Sequence, residues 1–70
     1  MTSSTDLPGP ERKALARMAV GVLRKTKDAQ RFRDACEMAL MGVLAKYGPA
    51  ASTELNGEIN RLRKRLGLRG

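Results

Sequence analysis

The strongest constraint on folding is a long stretch without proline, which runs from Glu11 to Gly48. Proline ends or kinks helices, so this stretch is compatible with one long helix or two shorter ones. It contains no alternating run rich in β-branched residues, which disfavours strands. The positions of its apolar residues, taken at about 100° per residue, choose between the two helical arrangements.

Two apolar stripes fall in this stretch, and they do not share one helix face. The first stripe comprises Leu15, Met18, Ala19, Val22 and Leu23. The second comprises Phe32, Cys36, Ala39, Leu40, Val43 and Tyr47. One straight helix would leave the second stripe roughly a quarter-turn from the first. The mismatch falls near Thr26 and Asp28, both good N-cap residues. The pattern therefore predicts helices over 10–25 and 28–47.

A third helix is predicted after Gly48-Pro49, a pair that favours the end of a helix. Ser52 or Thr53 would cap it, and it would extend over 52–66. Its apolar residues recur at spacings of four, three and four, and form a narrow seam of Leu55, Ile59, Leu62 and Leu66. The sequence thus predicts an all-α, small three-helix domain. The seam would suit packing on its own subunit or exchange with a neighbour.

The domain organisation follows from length and from the composition of the N-terminus. Residues 1–9, MTSSTDLPG, are polar with Pro and Gly, and we expect a disordered tail there. Residues 10–70 would form a single helical domain. A core this small favours oligomerisation or partner binding, so we expect a homodimer.

Several classes of function are disfavoured by residues that the sequence lacks. It contains no histidine, no phosphate-binding glycine loop and only one cysteine, Cys36, on the apolar stripe of the second helix. Burial there would raise the thiol pKa and make it unreactive. The acidic residues form no cluster that suits a metal. We expect no enzyme, no metal, no cofactor and no small-molecule substrate.

A cytoplasmic location is expected from the same sequence. A lone cysteine fits a reducing compartment, the N-terminus has no secretory pattern, and no apolar run approaches the roughly 18 residues of a membrane span. A membrane-surface role for the basic C-terminal helix is disfavoured by Gly57 and by the lack of tryptophan.

Positive charge is concentrated at the two ends of the chain. The net charge is +7, divided as +4 over residues 1–27, zero over 28–48 and +3 over 49–70. This distribution suggests two basic surfaces around a neutral central helix, and a basic domain of this kind favours a polyanionic partner. The competing explanation is a solvated outer face, together with cations that favour the helix C-terminus.

The candidate nucleic-acid-binding residues lie on these two end helices. The first helix supplies Lys13, Arg17, Arg24 and Lys27, and the third supplies Arg61, Arg63, Lys64 and Arg65, with Arg69 just beyond. Arginine forms bidentate bonds to phosphate. The two aromatic residues lie on the core stripe and are poorly placed to stack on bases. These residues favour phosphate contacts to a duplex.

A second candidate surface is apolar. Met38, Met41 and Ala45 lie opposite the main stripe of the second helix and suit a dimer interface or a docking face. The sequence therefore supports two hypotheses. One is a small basic regulator that binds duplex nucleic acid, as a dimer. The other is a protein-binding inhibitor or adaptor, which docks these methionines or the leucine seam on an acidic partner surface.

Overall fold

The computed structural model describes residues 7–68, which form three helices packed pairwise against one another: α1 (Gly9–Thr26), α2 (Ala29–Tyr47) and α3 (Pro49–Arg65). No strand occurs in this part of the chain. The predicted all-α, three-helix fold is confirmed. Residues 1–6, most of the predicted tail, and Arg69 lie outside the described residues.

The folded unit begins earlier than the predicted boundary at residue 10. Leu7 is 4% exposed and belongs to the hydrophobic core. Pro8 is the N-cap of α1, and its carbonyl accepts the Arg12 N–H at 2.9 Å. Burial of Leu7 therefore fixes the entry of the chain into α1.

The connection between α1 and α2 lies where the change of stripe predicted it. The Lys27 N–H donates to the Leu23 carbonyl at 2.8 Å, and the residue adopts the left-handed conformation (φ 53°). The Asp28 side chain caps α2 by accepting from the N–H of Gln30 at 2.9 Å and of Arg31 at 3.4 Å. This satisfies two donors that the first turn of a helix leaves without partners.

The predicted start of α3 was wrong by three residues. Gly48 (φ 104°, ψ 175°) both ends α2 and precedes α3, so Pro49 is already helical. Proline is well suited to this position, where a backbone N–H has no helical partner. Ser52 is not the cap, and its hydroxyl points to the Leu40 carbonyl of α2 at 3.4 Å.

The core is centred on α3. Leu55 and Ile59 are 0% and 2% exposed, and the aliphatic side chains of α1 and α2 pack around them. In α1 the buried residues are Ala16, Ala19, Val20 and Leu23, whereas Met18 is 69% exposed. The apolar stripe predicted on α1 was thus wrong at Met18, because packing against α3 as well as α2 turns the buried face of the helix toward α3. The α2 stripe is confirmed, with Phe32 and Val43 buried.

Candidate functional site

Three of the nominated cations form a stripe along α1. Lys13, Arg17 and Arg24 are spaced by four and seven residues, which places them on one helix face. All three are exposed, and within residues 7–68 no carboxylate lies within 4.0 Å of them. At 1.5 Å per residue the stripe is about 16 Å long. We call these three residues the α1 stripe.

The α1 stripe continues into a groove between α1 and α3. Lys13 lines this groove together with Arg61 and Arg65, so the structure brings together cations that are about 50 residues apart in sequence. Glu58 lies at its floor with a side chain 19% exposed, and it accepts from Arg12 Nε at 3.1 Å. The Arg61 guanidinium is 3.8 Å from the same carboxylate.

Arg12 was not nominated from the sequence, and the structure gives it a structural role. Its guanidinium contacts Glu58 at 3.1 Å and Glu54 at 4.0 Å, and its side chain is 26% exposed. It thereby joins α1 to α3 below the exposed cations. The only signal in the sequence was the i, i+4 pair of glutamates on α3, which does not indicate which arginine lies opposite.

The four basic residues of α3 do not form one surface. Arg61 and Arg65 face the groove with α1, whereas Arg63 is half-buried on the other side, where its charge acts on Cys36 of α2. Neighbours two apart on a helix differ by about 200°, so this separation follows from helix geometry. Arg63 is therefore separate from the groove in which the other two meet.

Two further nominated cations sit at the edges of this surface. Lys64 is exposed in the last turn of α3, where cations also complement the helix dipole. Lys27 is exposed in the connection after α1. Neither has a carboxylate within 4.0 Å among the described residues. Of the nominated residues that the structure describes, Arg61 alone forms an ion pair there.

The apolar surface predicted on α2 is exposed. Met38 and Met41 are 76% and 62% exposed, and Ala45 is exposed beside them. Gly42, exposed between Met38 and Ala45, completes a patch of four residues that we call the α2 ridge. Met38 borders an apolar groove toward α1, and Met41 borders another toward α3, where Leu44 is 47% exposed. Leu44 was not predicted from the sequence as part of this surface.

The leucine seam of α3 is not a docking face, and that part of the interface prediction was wrong. Leu55 and Ile59 are buried within their own chain, and Leu62 packs against the core. Only Leu66, at 44%, is substantially exposed. The seam has this spacing because α3 packs against both other helices, so its apolar face is used within the subunit.

The lone thiol has the environment of a packing residue. Cys36 is half-buried against the core. Burial raises the pKa of this thiol above its ordinary value, and the positive charge of Arg63 offsets part of that effect. Across residues 7–68, no group of three or more metal-binding side chains comes together. In the same residues, every helix is too short or too polar to traverse a bilayer.

The fold and its surfaces define a small three-helix bundle with a basic groove between α1 and α3 and an apolar ridge on α2. Comparison of the chain with protein families, curated proteins and solved structures finds no match.

Proposed function

We propose that this protein is a small, non-enzymatic regulator that binds duplex nucleic acid through phosphate contacts. The observation that carries the proposal is the exposed, largely unpaired set of cations on the side formed by α1 and α3. Lys13, Arg17, Arg24, Lys64 and Arg65 have no carboxylate within 4.0 Å among residues 7–68. A coat that serves solubility alone usually mixes charges of both signs.

The placement of the aromatic side chains supports a duplex over a single strand. Proteins that bind single strands stack bases on exposed aromatic rings. Phe32 is 9% exposed, and the Tyr47 hydroxyl donates to Glu11 Oε1 at 3.2 Å. Both rings are thus engaged within the bundle, which leaves phosphate contact as the main source of affinity.

The proposal involves no chemistry on the ligand. The chain has no histidine, and its one cysteine is a packing residue whose thiol pKa is raised. We place the protein in the cytoplasm, because an unpaired cysteine suits a reducing compartment.

Fluorescence anisotropy with a short duplex of mixed sequence tests the proposal. Binding should weaken steeply with salt, with a slope of log Kobs against log salt between about −3 and −5 if four or five phosphates are contacted. The variant Lys13→Gln/Arg17→Gln/Arg65→Gln should flatten that slope by about 3, because each lost phosphate contact removes about one unit.

A matched control separates a defined surface from bulk charge. The variant Arg31→Gln/Arg33→Gln/Lys46→Gln removes the same three charges from α2 instead. It should keep most of the affinity and the slope. Equal losses in both variants, or no binding of the wild type at low salt, would contradict the proposal.

A second candidate function is supported by a different observation, the exposed Met38 and Met41 on α2. An inhibitor or adaptor would use such a face to dock on a partner protein, since flexible methionines suit adaptable contacts. The buried α3 seam gives this candidate no additional surface. In that case Met41→Glu would abolish binding to the partner protein. The variant Lys13→Gln/Arg17→Gln/Arg65→Gln would still form the complex and would slow only its association.

A further inference from the structure

We propose that the α2 ridge is the contact between two copies of this chain, with their α2 helices packed antiparallel. The ridge itself is the first reason. Met38, Met41, Gly42 and Ala45 form one continuous uncharged patch on a helix whose opposite face is already buried in the core. Within residues 7–68, nothing covers the two methionines.

The distribution of charge favours a second copy of this chain, over a partner attracted by charge, as the molecule that contacts the α2 ridge. Each copy carries a net charge of +7, so two copies repel each other through most of their surfaces. Residues 28–48 are the exception, with three basic and three acidic residues. Contact through α2 is the arrangement in which a second copy meets the least repulsion, whereas a partner attracted by charge would favour the α1/α3 side.

The position of Asp34 at one end of the ridge favours the antiparallel arrangement over the parallel one. Asp34, Met38, Met41 and Ala45 recur at spacings of four, three and four, which is the pattern of a helix-pairing seam. In a parallel pair, Asp34 would face the second copy's Asp34. In an antiparallel pair centred between the methionines, each Met38 meets the second copy's Met41. Each Asp34 then faces the second copy's Ala45 and lies beside the second copy's Lys46.

Gly42 is compatible with the same contact. Glycine inside a helix costs about 1 kcal/mol relative to alanine, and a Cβ built at Gly42 would meet no atom within 4 Å in the monomer. As at Gly21 and Gly57, residues 7–68 therefore offer no packing reason for this glycine. A second helix lying against the ridge provides one, because glycine lets two helix backbones approach closely.

The apolar grooves on either side would receive the methionine side chains. The groove toward α1 is lined by Leu15, Met18 and Val22, and that toward α3 by Leu40 and Leu44. Both are bordered by the ridge, so an antiparallel copy would reach them symmetrically.

Sedimentation equilibrium without nucleic acid tests the inference, and its result is independent of the proposed function. The wild type should dimerise, and Met41→Glu should weaken the dimer at least tenfold while far-UV circular dichroism is unchanged. Glutamate lowers the net positive charge, so weaker association could not come from greater overall repulsion. Leu66→Glu makes the same kind of change at an exposed position of α3 and should leave the dimer intact.

A charge exchange tests the antiparallel arrangement. Asp34→Lys and Lys46→Asp should each weaken the dimer, by roughly three- to tenfold for two symmetric exposed pairs, and the double variant should restore it. A wild type that stays monomeric at millimolar concentration, or an undiminished dimer of Met41→Glu, would overturn the proposal. Failure of the double variant to restore association would overturn the antiparallel arrangement.

Discussion

Arg12 and Glu58 join α1 to α3 through a hydrogen-bonded ion pair of 3.1 Å, and they do so at the floor of the basic groove. The carboxylate has opposite effects on fold and function. It holds the two helices together, and it also places a negative charge among cations that we assign to phosphate binding.

Replacing Glu58 by glutamine should therefore lower stability and raise affinity for duplex. We expect the free energy of unfolding to fall by about 1 kcal/mol. Glutamine can still accept from Arg12 Nε, but it lacks the negative charge that strengthens this partly buried bond. Removing the repulsion between this carboxylate and phosphate should tighten duplex binding by about three- to tenfold. Urea denaturation and anisotropy measure the two effects. Glu37→Gln makes the same change on exposed α2 and should show neither to a comparable degree.

Asp28→Ala should destabilise the bundle by about 1 kcal/mol, the usual cost of losing an N-cap. The Asp28 side chain accepts two backbone N–H groups, and its 3.8 Å contact with Arg31 is too exposed to add much. Glu37→Ala removes one negative charge from an exposed, non-capping position of α2 and should cost under about 0.5 kcal/mol. Ser52→Ala should be similarly mild, and a loss as large as that of Asp28→Ala would mean that Ser52 stabilises the start of α3.

Capping rules predicted the connection at Asp28 correctly and the one near Ser52 incorrectly. The shift between two apolar stripes located the first connection, and local capping chemistry at Asp28 completed it. At Gly48-Pro49 the same capping rules pointed to Ser52, because a turn of several residues was assumed. A single glycine with positive φ makes the whole connection, and that depends on how α3 packs on α2.

The basic and apolar surfaces were predictable in composition but only partly in arrangement. Helical spacing alone was sufficient to group Lys13, Arg17 and Arg24. Which cations of α3 join them depends on the rotation of α3 about its axis, and this places Arg61 and Arg65 in the groove but directs Arg63 to α2. The rotation of α3 is set by tertiary packing. Basic residues that are close together in the sequence of α3 therefore lie in two different environments.

Leu55→Ala should cost about 2–5 kcal/mol, because it leaves a cavity at a fully buried position. Leu66→Ala, at a position 44% exposed, should cost under about 1 kcal/mol. Thermal or urea denaturation at matched concentration distinguishes them. Equal, small losses at both positions would indicate that the α3 seam faces outward after all.

Cys36 should react slowly with a small alkylating reagent near neutral pH. Its thiol pKa is raised by burial, so the folded protein holds less of the reactive thiolate than a free cysteine does. The rate should rise as pH increases toward and past the ordinary thiol pKa, and unfolding in urea should raise it at any fixed pH below that range. A folded-state rate equal to that of the unfolded chain at neutral pH would contradict this assignment.

If the dimer and the basic surface both form as proposed, the dimer should bridge two duplexes. The three helices pack pairwise, so the groove between α1 and α3 lies on the side of the bundle opposite α2. Two copies joined through α2 then direct their basic grooves away from each other, and one straight duplex could not contact both. Wild-type protein should capture a labelled duplex onto beads that carry a second duplex.

Two variants make this outcome specific. Met41→Glu should bind a single duplex yet fail to bridge, because only the dimer contact is lost. Lys13→Gln/Arg17→Gln/Arg65→Gln should fail in both assays while remaining dimeric. Bridging by a monomeric Met41→Glu variant would show that each chain holds two separate duplex-binding surfaces, and a dimeric wild type that binds but never bridges would place both grooves on the same side.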